Sequence, residues 1–80
     1  MKSVQLRHFA LLRDQRGLSS ETHETSAETV GELYDELAAL YSFTLPRNFV
    51  KAALNSEFVA MDTPFESGDE IVFIPPVAGG

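Results

Sequence analysis

Side chains at the start of the chain alternate between apolar and polar. In an extended strand, an alternation with a period of two places every second side chain on the same face. One face is predicted to carry Val4, Leu6, His8 and Ala10. The other face carries polar residues together with Phe9. Residues 10–17 then suit one short helical turn that ends at Gly17, and residues 18–25 suit a polar second strand.

The strongest helical pattern begins at Thr29. Thr29 and Glu32 have the spacing of a capping box, in which each side chain bonds the backbone of the other residue. Apolar residues follow at helical intervals on one face, namely Val30, Leu33, Tyr34, Leu37, Ala38, Leu40 and Tyr41. The pattern predicts one main helix with a single apolar stripe.

The second half of the chain predicts a hairpin and a last strand. Residues 42–49 are predicted to be a loop, since Pro46 disfavours helix in the residue before it. Alternation resumes over residues 50–54, and an Asn55-Ser56 turn leads to a return strand at residues 58–61. The last strand, Ile71-Val72-Phe73-Ile74, is apolar throughout, as expected of a central strand covered on both faces.

These elements predict an α+β fold in a single domain over residues 1–80. Its mixed sheet would have about four to five strands covered by one main helix. A chain of 80 residues has room for one hydrophobic core only. It has no cysteine, which excludes a disulfide, a thiolate metal site and a thiol nucleophile. The two histidines have no ligand spacing, so no metal site is predicted.

Charge and hydropathy limit the classes of partner. The net charge is −6, and no Lys or Arg occurs between Gly17 and Pro46. Such a surface repels phosphate backbones, so no nucleic acid is expected. We interpret the acidic stretch as a solvated helix face, with docking to a positively charged partner as the alternative. No apolar run reaches membrane-spanning length and no signal peptide is apparent, so no membrane association and a cytoplasmic location are expected.

The last six residues form a distinct segment, Pro75-Pro76-Val77-Ala78-Gly79-Gly80. The prolines fix φ and lack backbone donors, so they end the last strand and hold the chain extended. The two glycines have no Cβ to obstruct a narrow channel. We therefore predict a flexible tail, residues 75–80, that reaches roughly 20 Å and carries the terminal carboxylate into another protein.

The tail also belongs to a longer pattern. Gly68-Asp69, the apolar strand, Pro-Pro and Gly-Gly follow one another, and upstream the chain has Phe9-Ala10-Leu11-Leu12-Arg13, Thr29-Val30-x-Glu32-Leu33 and Ala53-Leu54-Asn55 followed by Phe58-Val59. In order and spacing this series resembles the molybdopterin synthase small subunit, a family of ubiquitin-like sulfur carriers. The resemblance covers most of the chain and implies a β-grasp fold.

The resemblance also implies a function. A ubiquitin-activating-like adenylyltransferase would adenylate Gly80 with ATP, and sulfur transfer would convert it to a thiocarboxylate, with Gly79 as part of the tail. The tail would then enter the molybdopterin synthase large subunit, which supplies the catalytic side chains and transfers the sulfur to cyclic pyranopterin monophosphate. The small subunit would be no enzyme by itself and would hold no tightly bound cofactor. The family forms a heterotetramer.

Side-chain parity predicts a docking surface. If Val4, Leu6, Val59, Met61, Ile71 and Phe73 face the helix, then Phe9, Phe58 and Ile74 lie on the opposite face. An apolar patch among polar neighbours is typical of a partner surface, and the matching family positions contact both partners. The family also has an arginine near this surface at the position of Arg13. With the tail, the predicted partner-binding residues are Phe9, Arg13, Phe58, Ile74, Pro75, Pro76, Val77 and Ala78.

Other interpretations stay open. In one alternative, the three apolar residues of the patch do not bind another protein but pack against each other or under a loop. A sulfur carrier of thiazole synthesis also ends in Gly-Gly, but that family lacks the Pro-Pro step. A ubiquitin-like protein modifier would join the same activated glycine to a lysine, and a plain interaction module would not use the tail.

Overall fold

The computed structural model of the chain describes residues 1–76. The predicted tail residues Val77, Ala78, Gly79 and Gly80 lie outside the described residues. The elements in chain order are β1 (Lys2–His8), α1 (Ala10–Arg16), β2 (Ser20–Thr25), α2 (Val30–Tyr41), a 3₁₀ helix (Arg47–Phe49), β3 (Lys51–Leu54), β4 (Glu57–Val59) and β5 (Glu70–Ile74).

The strands form one mixed sheet in the order β2-β1-β5-β3-β4. β1 and β5 pair in parallel, and all other pairs are antiparallel. β5 is therefore the central strand, as its unbroken apolar run predicts. With α2 against one face of the sheet, this is the predicted α+β fold of the ubiquitin-like β-grasp type. None of the helices described within residues 1–76 is long and apolar enough to cross a membrane.

The core lies between α2 and the inner face of the sheet. The predicted inward residues Val4, Leu6, Ile71 and Phe73 are all buried, while Val59 and Met61 pack at the edge of the core. The Phe73 ring meets the Tyr34 ring edge to face at a centroid distance of 5.2 Å. The Tyr34 hydroxyl donates to the Leu45 carbonyl at 2.8 Å, and burial raises the pKa of this phenol.

The start of α2 is fixed by its cap and by the loop after β4. Thr29 Oγ1 accepts the Glu32 N–H at 3.2 Å, as the capping box predicts. The N–H of Gly31 donates to the Met61 carbonyl at 2.7 Å. A Cβ on Gly31 would overlap the Arg47 guanidinium and lie 3.0 Å from the Met61 carbonyl oxygen, so a larger residue would displace the arginine side chain and crowd this backbone contact.

The structure corrects several predicted boundaries. Ala10 does not continue the strand but begins α1, exposed and with φ of 49°. Leu40 is 58 % exposed, because the last turn of α2 packs through Ala38 and Tyr41 instead. β4 ends at Val59, since the carbonyl of Met61 bonds to α2.

The predicted loop over residues 42–49 contains the 3₁₀ helix. Pro46 precedes that helix as its N-cap, with φ of −62°. The proline needs no backbone donor at this position, so it begins the short helix while keeping Leu45 out of one. The loop prediction was wrong for these three residues because it treated Pro46 only as a helix breaker.

The hairpin turn between β3 and β4 offers a stability test. Asn55 and Ser56 have φ of 50° and 75°, so both occupy the left-handed region of a two-residue turn. Glycine adopts this conformation without strain, whereas serine does not. We expect Ser56→Gly to raise the free energy of unfolding by about 0.5–1 kcal/mol, measured by urea denaturation. A lower free energy of unfolding would show that contacts of the Ser56 side chain stabilise the turn by more than its positive φ destabilises it.

Candidate functional site

The tail leaves the fold from the end of the central strand. Ile74 pairs with Lys51 of β3, and Phe73 pairs with His8 of β1. Pro75 and Pro76 have no backbone N–H, so neither can donate to a continued ladder. Pro75 is buried and Pro76 is exposed. The described part of the chain thus ends where the tail departs from the middle of the sheet.

An apolar groove of about 600 Å³ lies at the base of the tail. Its lining residues are Phe9, Ala10, Leu11, Leu45, Ile74, Pro75 and Pro76. The groove brings together four of the predicted partner-binding residues, namely Phe9, Ile74, Pro75 and Pro76. Phe9 is 42 % exposed, so part of its ring is accessible in the groove. We name this surface the tail-base groove.

Leu11 and Leu45 are groove residues that the sequence analysis missed. Leu12 of α1 is fully buried, whereas its neighbour Leu11 is exposed. Consecutive residues of a helix lie about 100° apart, so two adjacent leucines in a helix of one or two turns cannot both face the core. The Leu11-Leu12 pair was therefore a usable signal. Leu45 gave no such signal, because it lies in an irregular loop.

Phe58 lies on the predicted face of the sheet but outside the tail-base groove. It is 71 % exposed on the edge strand β4 and lines a separate groove with Lys51 and Met61. Register connects it to the central strand, because Phe58 pairs with Ala53, and Ala53 pairs with Val72. Phe9 and Phe58 are three strand spacings apart, roughly 14 Å. The predicted face is confirmed, and the role of both residues as partner contacts stays a prediction.

Arg13 is exposed on α1 and does not line the tail-base groove. Its carbonyl accepts the Gly17 N–H at 2.8 Å, and Gly17 ends the helix with φ of 85°. This confirms the predicted stop of the helical turn at Gly17. A contact between Arg13 and a partner remains a prediction.

A charged cluster fixes α1, and with it one wall of the groove. Glu21 of β2 accepts two hydrogen bonds from the Arg16 guanidinium, at 2.7 and 2.9 Å. Arg16 also lies 4.0 Å from the centroid of the Tyr41 ring on α2. The hydrogen bonds from Arg16, and to a smaller degree the one from His8, lower the pKa of the Glu21 carboxyl. Glu21 thus links α1 to β1 and β2, and Arg16 links α1 to α2.

His8 is the buried member of this cluster. It is 2 % exposed, and its Nε2 lies 2.9 Å from Glu21 Oε2. An ionised carboxylate only accepts, so Nε2 carries the hydrogen of this bond. Nδ1 is buried and has no hydrogen-bond partner among residues 1–76, and the ring meets Phe43 at a centroid distance of 6.2 Å. His8 thus lies on the face of β1 that the alternation predicts for it, buried and hydrogen-bonded.

The described residues hold no group of three or more histidine, aspartate or glutamate side chains arranged for a metal ion. One carboxylate of the loop before β5, that of Asp69, has structural partners instead. Asp69 Oδ2 accepts the Glu66 N–H at 2.8 Å, and Oδ1 accepts the Asn55 amide at 3.0 Å. These bonds lower the pKa of Asp69. Asp69 thus stabilises the turn that leads into β5.

The Glu21 cluster predicts a pH dependence of stability. Because folding lowers the pKa of Glu21, its contribution is present above the ordinary value of 4.5 and is lost as the pH falls through the folded-state pKa. Glu21→Gln should therefore lower the free energy of unfolding by about 1–2 kcal/mol at neutral pH. The difference in free energy of unfolding between the variant and the parent should become smaller below pH 4.5. Urea denaturation of both proteins across this pH range measures that difference, and a difference that does not change with pH would contradict the role of the Glu21 charge.

The chain is similar to other proteins in sequence and in structure over nearly its whole length. It is 31 % identical to the molybdopterin synthase sulfur carrier subunit of Escherichia coli, covering 96 % of this chain and 99 % of that one. A solved structure of small archaeal modifier protein 1 from Haloferax volcanii superposes with a TM-score of 0.76 at 25 % identity, covering 98 % and 99 %.

A second solved structure is a protein complex. It contains subunits 1 and 2 of the molybdopterin-converting factor from Helicobacter pylori 26695, and the matched chain superposes with a TM-score of 0.61. That chain is 26 % identical, with 98 % of this chain and 99 % of that chain covered. The model of the ThiS family matches residues 6–80. That match contains the groove, the Pro-Pro step and the terminal glycines, and the chain belongs to the ThiS family.

Proposed function

We propose that this chain is the sulfur carrier of molybdopterin synthesis and that it acts through its terminal Gly80. The observation that carries this proposal is the extent of the family match, which runs to the last residue and so includes both tail glycines. The family match supports the role of the tail, and the identity to the molybdopterin synthase sulfur carrier subunit of Escherichia coli over nearly the whole chain supports the molybdopterin pathway. The protein would act in the cytoplasm, where ATP would drive the first step, the adenylation of Gly80.

The chemistry needs activation of a poor electrophile. A terminal carboxylate has a pKa of about 3.5 and is ionised at neutral pH, so nucleophiles do not attack it. Attack of the carboxylate on the α-phosphorus of ATP forms the acyl-adenylate and releases pyrophosphate. Hydrosulfide, the simplest sulfur nucleophile, would attack the acyl carbon and displace AMP, which leaves a thiocarboxylate at Gly80. When the thiocarboxylate sulfur has bonded to a carbon of the acceptor, water attacks the acyl carbon, so the sulfur stays on the acceptor and Gly80 becomes a carboxylate again.

Two protein partners follow from this sequence of reactions. A ubiquitin-activating-like adenylyltransferase would form the acyl-adenylate. The molybdopterin synthase large subunit would bind the charged tail in a heterotetramer and supply the catalytic side chains. The solved complex of the two subunits from Helicobacter pylori supports a partner of this kind. The tail-base groove is the docking surface that we assign to both partners.

A second candidate function is protein modification. The similarity to small archaeal modifier protein 1 favours it, because a modifier would use the same activated glycine. In that case the ε-amine of a target lysine, rather than a sulfur nucleophile, would displace AMP and form an isopeptide bond. Enrichment of conjugates from cells, followed by mass spectrometry of Gly-Gly remnants on lysines, tests this candidate.

Reconstitution tests the leading proposal. The thiocarboxylated chain, mixed with the cognate large subunit and cyclic pyranopterin monophosphate, should yield the dithiolene product. The same chain with an unmodified carboxylate is the matched control and should yield none. A fully thiocarboxylated chain that binds the large subunit but gives no product would overturn the proposal and leave the modifier function in its place.

A further inference from the structure

We infer that the partner surface which receives the tail is apolar at its centre and acidic at its rim, and that it grips Pro75-Pro76 from both sides. This inference rests on the proposed function, because it describes the docking of the same tail. It adds a second groove, the charge of the partner and two contact residues, Phe49 and Lys51, to the docking surface.

The second groove lies across the tail base from the first. It has a volume of about 210 Å³ and is lined by Phe49, Lys51, Ile74, Pro75 and Pro76. Three residues, Ile74, Pro75 and Pro76, line both grooves, and they separate the two. Phe49 is 59 % exposed at the end of the 3₁₀ helix. A partner that contacts only one groove would leave an apolar surface exposed beside the tail, whereas one that straddles the prolines covers both.

Among residues 1–76, no carboxylate pairs with the cations around these grooves. Lys51 lies opposite Ile74 in the sheet, and Arg7 lies opposite Val72 with its guanidinium 5.8 Å from the Phe9 ring. Together with Arg13 they are exposed, and within residues 1–76 none has a carboxylate oxygen within 4 Å.

The other cations of the described chain are engaged. Arg16 pairs with Glu21 and Arg47 pairs with Asp35, while Lys2 donates to the Ala27 carbonyl. Four side-chain cations of residues 1–76 thus lack a carboxylate partner, and three of them, Arg7, Arg13 and Lys51, lie on the face and the short helix that flank the tail. The fourth, Lys2, is held by the Ala27 carbonyl.

Acidic residues are concentrated at α2, on the other face of the sheet, and one further exposed carboxylate, that of Asp14, lies on α1. α2 and the residue before its cap present exposed or half-exposed Glu28, Glu32, Asp35 and Glu36, and no lysine or arginine occurs on this helix. A basic partner would be drawn to the helix face and away from the tail. A partner with carboxylates around an apolar centre is attracted only in the orientation that brings it to the tail. The structure thus favours an acidic partner surface over the positively charged one considered from net charge.

Affinity measurements with variants test this inference. We would measure the Kd of the full chain for the cognate large subunit and the cognate activating enzyme by calorimetry, at low and at moderate salt. Lys51→Glu is expected to weaken binding about tenfold or more at low salt, and the difference should shrink as salt screens the charges. Phe49→Ala is expected to weaken binding about tenfold at both salt concentrations.

The matched control is Ala39→Glu, which adds negative charge on an exposed position of α2. It should bind like the parent, and thermal unfolding should show that all variants remain folded. If Lys51→Glu and Phe49→Ala both bind like the parent, or if Lys51→Glu binds more tightly, the inference is wrong while the proposed function stands. If the parent chain binds neither partner, the proposed function and the inference both fail.

Discussion

A chain that lacks Gly79 and Gly80 is expected to stay folded and to lose sulfur transfer completely. The core residues of the described part of the chain lie within residues 4–73, and the deletion leaves all of them in place. Its free energy of unfolding should change by less than about 0.5 kcal/mol. The activity should be lost because the prolines and two remaining tail residues cannot bring a carboxylate to the depth that Gly80 reaches. Urea denaturation and the reconstituted sulfur transfer measure the two effects.

Gly80→Ala is the matched control for this deletion. It keeps the length of the tail and the terminal carboxylate but adds one methyl group at the reacting position. We expect a loss of at least about tenfold in sulfur transfer, since a Cβ would obstruct a narrow channel. If the chain without the two glycines retained its activity, the tail would be incidental, and the interaction-module hypothesis would replace the carrier.

The second large effect separates two adjacent residues of β5. Phe73 is fully buried against Tyr34, whereas Ile74 faces the two grooves. Phe73→Ala should lower the free energy of unfolding by about 3–5 kcal/mol, which is a large fraction of the stability of a small domain. Ile74→Ala should cost about 1 kcal/mol and weaken binding to the large subunit about 10–100-fold.

Thermal unfolding and calorimetry of the two variants give the comparison. The variants differ by one position along one strand, so the alternation of side chains is the variable that is tested. The account would be contradicted if Ile74→Ala unfolded the domain as Phe73→Ala does. It would also be contradicted if a folded Ile74→Ala variant bound the large subunit with the affinity of the parent.

Repeating patterns made most of the fold predictable. The period of two in β1 places Val4 and Leu6 inward, and the capping box locates the start of α2 at Thr29. Element ends were harder, because tertiary bonds decide them. β4 stops at Val59 since the Met61 carbonyl bonds to the Gly31 N–H, and these residues are 30 positions apart in sequence.

The candidate site was predictable where a repeating pattern runs into it. Parity along β1 and β5 identifies the faces of Phe9 and Ile74, and both line the tail-base groove. Leu45 and Phe49 come from the irregular segment between α2 and β3, where no period assigns a face. The separation of Phe58 from Phe9 could not be predicted either, because it depends on strand order, and parity fixes only the face.

The most direct test of the central claim is the intact mass of the chain after incubation with ATP, the cognate activating enzyme and a sulfur donor. The account predicts a mass increase equal to the replacement of one oxygen atom by sulfur, located at Gly80 by fragmentation. Omission of ATP should prevent the change. A mass that stays constant, with an activating enzyme shown to bind this chain, would contradict the claim that Gly80 carries sulfur.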